Sequence, residues 1–122
     1  MKIAFDLDDT ITHATEFFST LSKLWNDDVY VITFRSDRPS TIEDLEKLDI
    51  RYTDVILVSS GDEKAEVVKR LGIGFYFDDM PEMLKNMPKE TSICLFRNEW
   101  NFDFEDKKWL FTEETGKIGK MT

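Results

Sequence analysis

"KIAFDLDDTIT", residues 2–12, sets the apolar run of residues 3–5 directly against three aspartates, Asp6, Asp8 and Asp9. A short apolar burst of this kind reads as a buried parallel strand that ends at its C-terminal tip. The acids then sit where the chain turns away from the sheet. In a chain that is already acidic, three more negative charges at one strand tip need a reason, and the rest of the sequence is read for one.

Outward from this stretch, short apolar strands alternate with amphipathic segments. Residues 14–25 place Phe17, Leu21, Leu24 and Trp25 at helical spacing, with Asn26, Asp27 and Asp28 ending the helix. "VYVITF", residues 29–34, is β-branched and aromatic and reads as a second buried strand. After a loop at 35–39, Ser40 or Thr41 is expected to cap a helix reaching Leu48, with Glu43 and Asp44 in its first turn. "DVILVSS" from Asp54 is a third strand, and Gly61-Asp62 leads into a helix over 63–71 that Gly72 stops. "GFYFDD" is a fourth strand ending on Asp78 and Asp79. Pro81 opens a short helix to about Met87, and "SICLF" from Ser92 is a fifth strand. This alternation predicts an α/β fold, a Rossmann-like three-layer arrangement with helices on both faces of a central parallel sheet.

The 122 residues fit one domain, 1–122, and 41% hydrophobic with 13% aromatic content supplies a core. From Arg97 the pattern changes: residues 97–122 form an aromatic-rich extension, in which "WLFTEETGKIGKM" is either a hairpin around Thr115-Gly116 or an ordinary tail. The net charge of -9 argues against broad adhesion to nucleic acid or an anionic membrane. No run approaches the roughly 18 apolar residues of a membrane span. One cysteine, Cys94, leaves no internal disulfide and reads as strand core; with no signal-peptide apolar region at the start, the cytoplasm is the expected compartment.

Ligands of open α/β sheets bind beyond the carboxyl ends of the strands. The strand assignments put Asp6, Asp8, Thr33, Asp78 and Asp79 there. Converging carboxylates repel unless a cation or protons neutralise them, and hard oxygen donors point to magnesium, Mg2+, which takes a few carboxylates together with waters and phosphate oxygens.

These residues resemble the haloacid dehalogenase (HAD) superfamily of phosphohydrolases. "DLDDT" matches its D-x-D-x-T signature at Asp6, Asp8 and Thr10; Thr33 looks like the second motif, Lys64 the third, and Asp78-Asp79 the fourth, in the family's order over residues 1–87. The resemblance implies a phosphomonoester hydrolase in which Asp6 is the nucleophile and forms an aspartyl-phosphate, and Asp8 is the general acid and base. It implies magnesium held by Asp6, the Asp8 main-chain carbonyl and Asp78, with Asp79 supporting through water, and it gives Thr33 and Lys64 to the phosphate oxygens, Lys64 also to the Asp6 carboxylate. The run around "KAEVVKRLGIGFYFDDMPE" is similar to 5'-nucleotidase-like members, which makes a nucleotide monophosphate the first substrate candidate.

The sequence also departs from the family. Asp9 stands where members often carry Gly, and Phe34-Arg35 follow Thr33 where a small residue is common. Phe34 is expected to narrow the pocket and Arg35 either to meet substrate phosphate or to be a surface arginine. His13 lies near the rim or caps the next helix. No cap domain fits between the motifs, which suits open sites for bulky or macromolecular phosphoesters, or a lid borrowed in a homo-oligomer. The partners expected are a small phosphorylated substrate or a phosphorylated macromolecule; nucleic-acid ends are the weaker candidate, since no basic stripe is present. Two rivals stand beside this reading: a HAD-like domain that binds phosphate or a partner without turnover, and a phosphorelay receiver, although the third strand has no acid at its tip and Lys64 precedes the fourth strand.

Overall fold

Alternation along the strands decides the layering. The computed structural model describes residues 1–98, 100 and 101, and the backbone of 108–109 and 119–120. Five strands, β1 (Lys2–Phe5), β2 (Val29–Thr33), β3 (Asp54–Leu57), β4 (Ile73–Asp78) and β5 (Ser92–Leu95), form one sheet in the order β3-β2-β1-β4-β5. Every neighbouring pair is parallel, with Phe5 opposite Val31 on one side and Phe77 on the other. Helices α1 (Thr15–Leu24) and α2 (Arg38–Lys47) cover one face and α3 (Gly61–Leu71) the other.

Side chains of successive strand residues alternate between these faces. Ile3, Phe5, Val29, Val31 and Val55 pack with Phe18 and Leu45 on the α1/α2 side. Ala4, Tyr30, Ile32 and Tyr76 pack with Val67, Val68 and Leu84 on the α3 side. Phenylalanines fill the first layer: the Phe18 ring lies 4.8 Å from Phe5, 5.5 Å from Phe77 and 5.2 Å from Phe96. Fully burying each such ring is worth roughly 1.5–3 kcal/mol, so this side anchors the sheet. Asp6 and Asp78 continue the parity of Ala4 and Tyr76, which directs both acids toward the α3 layer.

Several helix boundaries differ from expectation, for local reasons. The second helix is capped by Asp37, whose carboxylate accepts from the Ser40 N–H at 3.0 Å, rather than by Ser40 or Thr41; Pro39 fits the first turn, where its missing N–H costs nothing. Glu43 and Asp44 therefore fall outside that first turn. Helix α3 begins two residues early, at Gly61, because Ser60 caps it and Glu63 ties back the residue before the cap: the Glu63 N–H donates to Ser60 Oγ while its carboxylate accepts from the Ser59 N–H. Gly72 ends it as expected, in the left-handed region at φ 69°. The helix expected to Met87 is one 3-10 turn, Pro81–Leu84, and Asn86 at φ 61° takes the chain out of it. Cys94 is half-buried on the edge strand rather than in the core. His13 caps nothing, since Ala14 holds the N-cap of α1; its ring packs 5.8 Å from Phe96.

Past β5, β6 (Lys108–Trp109) pairs antiparallel with β7 (Gly119–Lys120), Trp109 opposite Gly119. That is the pairing a hairpin requires, while the turn expected at Thr115-Gly116 lies outside the described residues. Among the described residues no helix is long and apolar enough to cross a membrane.

Candidate functional site

Topology creates the site. The chain runs β1, β2, β3 to one edge, then crosses back through α3 to lay β4 on the other side of β1. The chain thus reverses direction across the sheet at β1, and the carboxyl ends of β1 and β4 are the switch point at which open sheets bind ligands. Asp6 follows β1, Asp78 is the last residue of β4 and Asp79 comes next.

Three carboxylates meet there: one oxygen from each of Asp6, Asp78 and Asp79 lies within 4.8 Å of the others, and all three residues are buried. Lys64, in the first turn of α3 and 2% exposed, lies between two of them, with Nζ 2.9 Å from Asp6 Oδ1 and 2.7 Å from Asp78 Oδ2. A lysine there opposes the helix dipole, so the two carboxylates must hold it. The Thr10 hydroxyl stands 3.2 Å from both Asp6 Oδ2 and Asp79 Oδ1, with one proton to share between them. The Tyr76 hydroxyl donates to Asp78 Oδ2 at 2.5 Å.

Burial and mutual repulsion leave their mark on this group. Desolvation, reinforced by the Asp78 charge, pushes the Asp6 carboxyl well above the ordinary carboxylate range despite Lys64. Desolvation also raises Asp79, against the hydrogen bond from Asn98. For Lys64 burial works against the ammonium, but Asp6 and Asp78 outweigh it and the net shift is upward. With all four ionised, three carboxylates face one ammonium, a surplus of two negative charges in a buried space. That donor set of hard, buried oxygens with a deficit of two positive charges fits a divalent cation such as magnesium.

Asp8 stands apart from this group. The five-residue turn after β1, Leu7–Ile11, puts Asp8 in extended backbone and Asp9 in the left-handed region at φ 63°. Asp9 is tolerated there because a short polar side chain pays less than most for that conformation, and its N–H donates to Thr12 Oγ1 at 2.8 Å. The Asp8 carboxylate takes a two-point contact from Arg35, Nε to Oδ2 at 2.9 Å and Nη2 to Oδ1 at 2.6 Å. Arg35 Nη1 reaches Asp44 on α2 at 2.8 Å. Arg35 thus spans two carboxylates from a partly exposed position, and the Asp8 bond leads the causes that raise its pKa. Phe34 is more than half exposed.

Thr33 ends β2 fully buried, and its hydroxyl has no hydrogen-bond partner among the described residues. A buried unpaired hydroxyl costs roughly 1–3 kcal/mol, so a ligand that accepts from it recovers that cost. The structure thus brings Asp6, Lys64, Asp78 and Asp79 into direct contact, places Asp8 with Arg35, and leaves Thr33 unpaired at the next strand tip.

Three contributors went unread in the sequence. Tyr76 is legible in hindsight, two residues before Asp78 on the same strand face. Asn98, 5% exposed, and Asn101 carry no motif; their only signal is their place just past the tip of β5. Compared with protein-family models, with curated proteins and with solved structures, the chain finds no match.

Proposed function

We propose that the protein is a magnesium-dependent phosphomonoester hydrolase of HAD type, working through an aspartyl-phosphate on Asp6. The observation that carries this reading is the buried group of Asp6, Lys64, Asp78 and Asp79 at the carboxyl ends of β1 and β4, three carboxyl groups set against one ammonium. The order of the strands favours it over the receiver alternative, which would place β1 between β2 and β3; here β1 lies between β2 and β4.

Asp6, Asp78 and Asp79, with the Asp8 main-chain carbonyl, would hold the ion. When bound it offsets the negative charge of the phosphate and of the acid group itself. Asp6 then attacks phosphorus, and the bond from phosphorus to the alcohol oxygen breaks. Lys64 keeps the attacking carboxylate aligned and stabilises charge on the transferring phosphoryl group. Thr33 donates its unused hydroxyl to a phosphate oxygen. Asp8 gives a proton to the leaving oxygen and takes one from the water that next attacks phosphorus, which returns Asp6 free. Both Asp8 oxygens accept from Arg35, so proton transfer at either requires that contact to open.

The connections from Asp6 to β2 and from Thr33 to Lys64 carry only α1, α2 and β3. We read the site as capless and open, suited to a nucleotide or to a bulkier phosphorylated substrate. The test is phosphate release from a panel of phosphomonoesters by wild type and Asp6→Asn, with magnesium and with chelator. Release that needs both the metal and Asp6 is expected; equal turnover by the two proteins would take Asp6 out of the nucleophile role, and no release by wild type would leave the non-catalytic, phosphate-binding alternative.

A further inference from the structure

The acid group is assembled from two segments far apart in the chain. One is the turn after β1, carrying Asp6, Asp8 and Asp9; the other is the tip of β4, carrying Asp78 and Asp79. Sharing a cation demands that these loops keep a fixed separation although their charges repel. Asn98, from a third loop just past β5, bridges them: its Nδ2 donates to the Asp9 carbonyl at 2.9 Å and to Asp79 Oδ2 at 3.1 Å. Its Oδ1 accepts from the N–H groups of Trp100 at 2.8 Å and Asn101 at 3.1 Å. Both donors and both lone pairs of the amide are used, so it has one orientation. Asn101 adds a strut, its Nδ2 donating to the Asp79 carbonyl at 2.6 Å and the Phe96 carbonyl at 2.8 Å.

The chemistry of the bridge matters as much as its place. Asp79 is held at both oxygens by neutral donors, Thr10 on Oδ1 and Asn98 on Oδ2. A lysine or arginine there would orient the carboxylate and also cancel its charge, as Lys64 does for Asp6 and Asp78. An amide orients the carboxylate and leaves its charge available to a cation.

We propose that Asn98 is a positioning residue that fixes the spacing of the two acidic loops and thereby sets the affinity of the site for a divalent cation. This rests on the metal reading above, and the experiment separates the two. Magnesium binding to the full chain is measured by calorimetry for wild type, Asn98→Ala, Asn98→Ser and Trp100→Ala. Serine keeps an oxygen that can accept from the loop N–H groups but is too short to reach Asp79; Trp100, 77% exposed, perturbs the same loop without the amide. Outer partners of metal ligands typically contribute about 10–100-fold in affinity, so Asn98→Ser and Asn98→Ala are expected to bind at least about tenfold more weakly. Trp100→Ala should stay within about twofold, inside the spread expected of a surface change. A folded Asn98→Ser that binds as tightly as wild type overturns the positioning role, as does a loss in Trp100→Ala equal to that in Asn98→Ser. Wild type that binds no magnesium removes the metal reading itself, and the inference falls with it.

Discussion

Two charge clusters stand at the carboxyl end of this sheet, each a basic side chain set between two aspartates, and they differ in their exposure to water. In one, Lys64 bridges Asp6 and Asp78 with its ammonium almost wholly buried; in the other, Arg35 bridges Asp8 and Asp44, whose carboxylates are 52% and 42% exposed. Water screens the second cluster, so its partners can part at little cost. The first has no such relief: each charge there depends on its neighbours, and any surplus must be met by protons or a cation. On the mechanism proposed above this is a division of labour, in which the buried cluster would take the cation and the exposed one would hold the carboxylate that moves protons.

The largest break in this comparison comes from removing the buried cation. Lys64→Met leaves Asp6 and Asp78 without their ammonium, and losing one member of a buried pair typically costs about 3–5 kcal/mol. Urea unfolding at neutral pH in chelator should show that loss, and acid should recover part of it. A loss below about 1 kcal/mol, the level of a surface pair, would mean the cluster is solvated.

The next effect is one of pH. The folded Asp6 pKa is raised above its ordinary value of 3.8 by burial and by Asp78. The folded state therefore binds this proton more tightly than the unfolded state. The stability tied to it is fully present below pH 3.8 and is lost as pH rises through the raised folded value. Asp79, shifted the same way, adds to this trend. Metal-free wild type should thus lose stability from this site as the pH rises above 3.8. Asp6→Asn should flatten that slope, and an unchanged slope in the variant would place its origin elsewhere.

The exposed cluster should answer weakly. Arg35→Ala is expected to change unfolding free energy by about 1 kcal/mol or less, as surface ion pairs do, while lowering turnover through a displaced Asp8. A larger stability loss would show that the clamp holds α2 as well as Asp8. Smallest of all, Asp9→Gly should alter stability by no more than about 0.5 kcal/mol, since glycine adopts φ 63° without strain but loses more chain entropy. Asp9→Ala at that backbone angle should cost about 1 kcal/mol, read from the same urea curves.

How far the sequence carried follows from the same physics. The strands were legible because buried parallel strands are nearly continuous apolar runs, and "VYVITF" and "GFYFDD" leave little else to be. Asp6, Asp78 and Asp79 were legible because strand tips converge in an open sheet, and Lys64 only through the motif order of the family the chain resembles. Their convergence is a property of topology, whereas the direction of a side chain is a property of packing. Hence Asp8 was expected in the site and lies with Arg35, and Asp37 won the cap of α2 from Ser40 and Thr41. Asn98 belongs to no periodic pattern and works through backbone groups of other loops, so nothing along the chain points to it.

The central claim is that Asp6 attacks phosphorus in a site completed by a divalent cation. Its most direct test is to quench turnover of an activated phosphomonoester with borohydride, which reduces an aspartyl-phosphate to homoserine, and to locate the change by peptide mass spectrometry. The account predicts conversion at Asp6, dependent on magnesium and absent at Asp8; turnover with Asp6 unmodified, or conversion at a different aspartate, would contradict it.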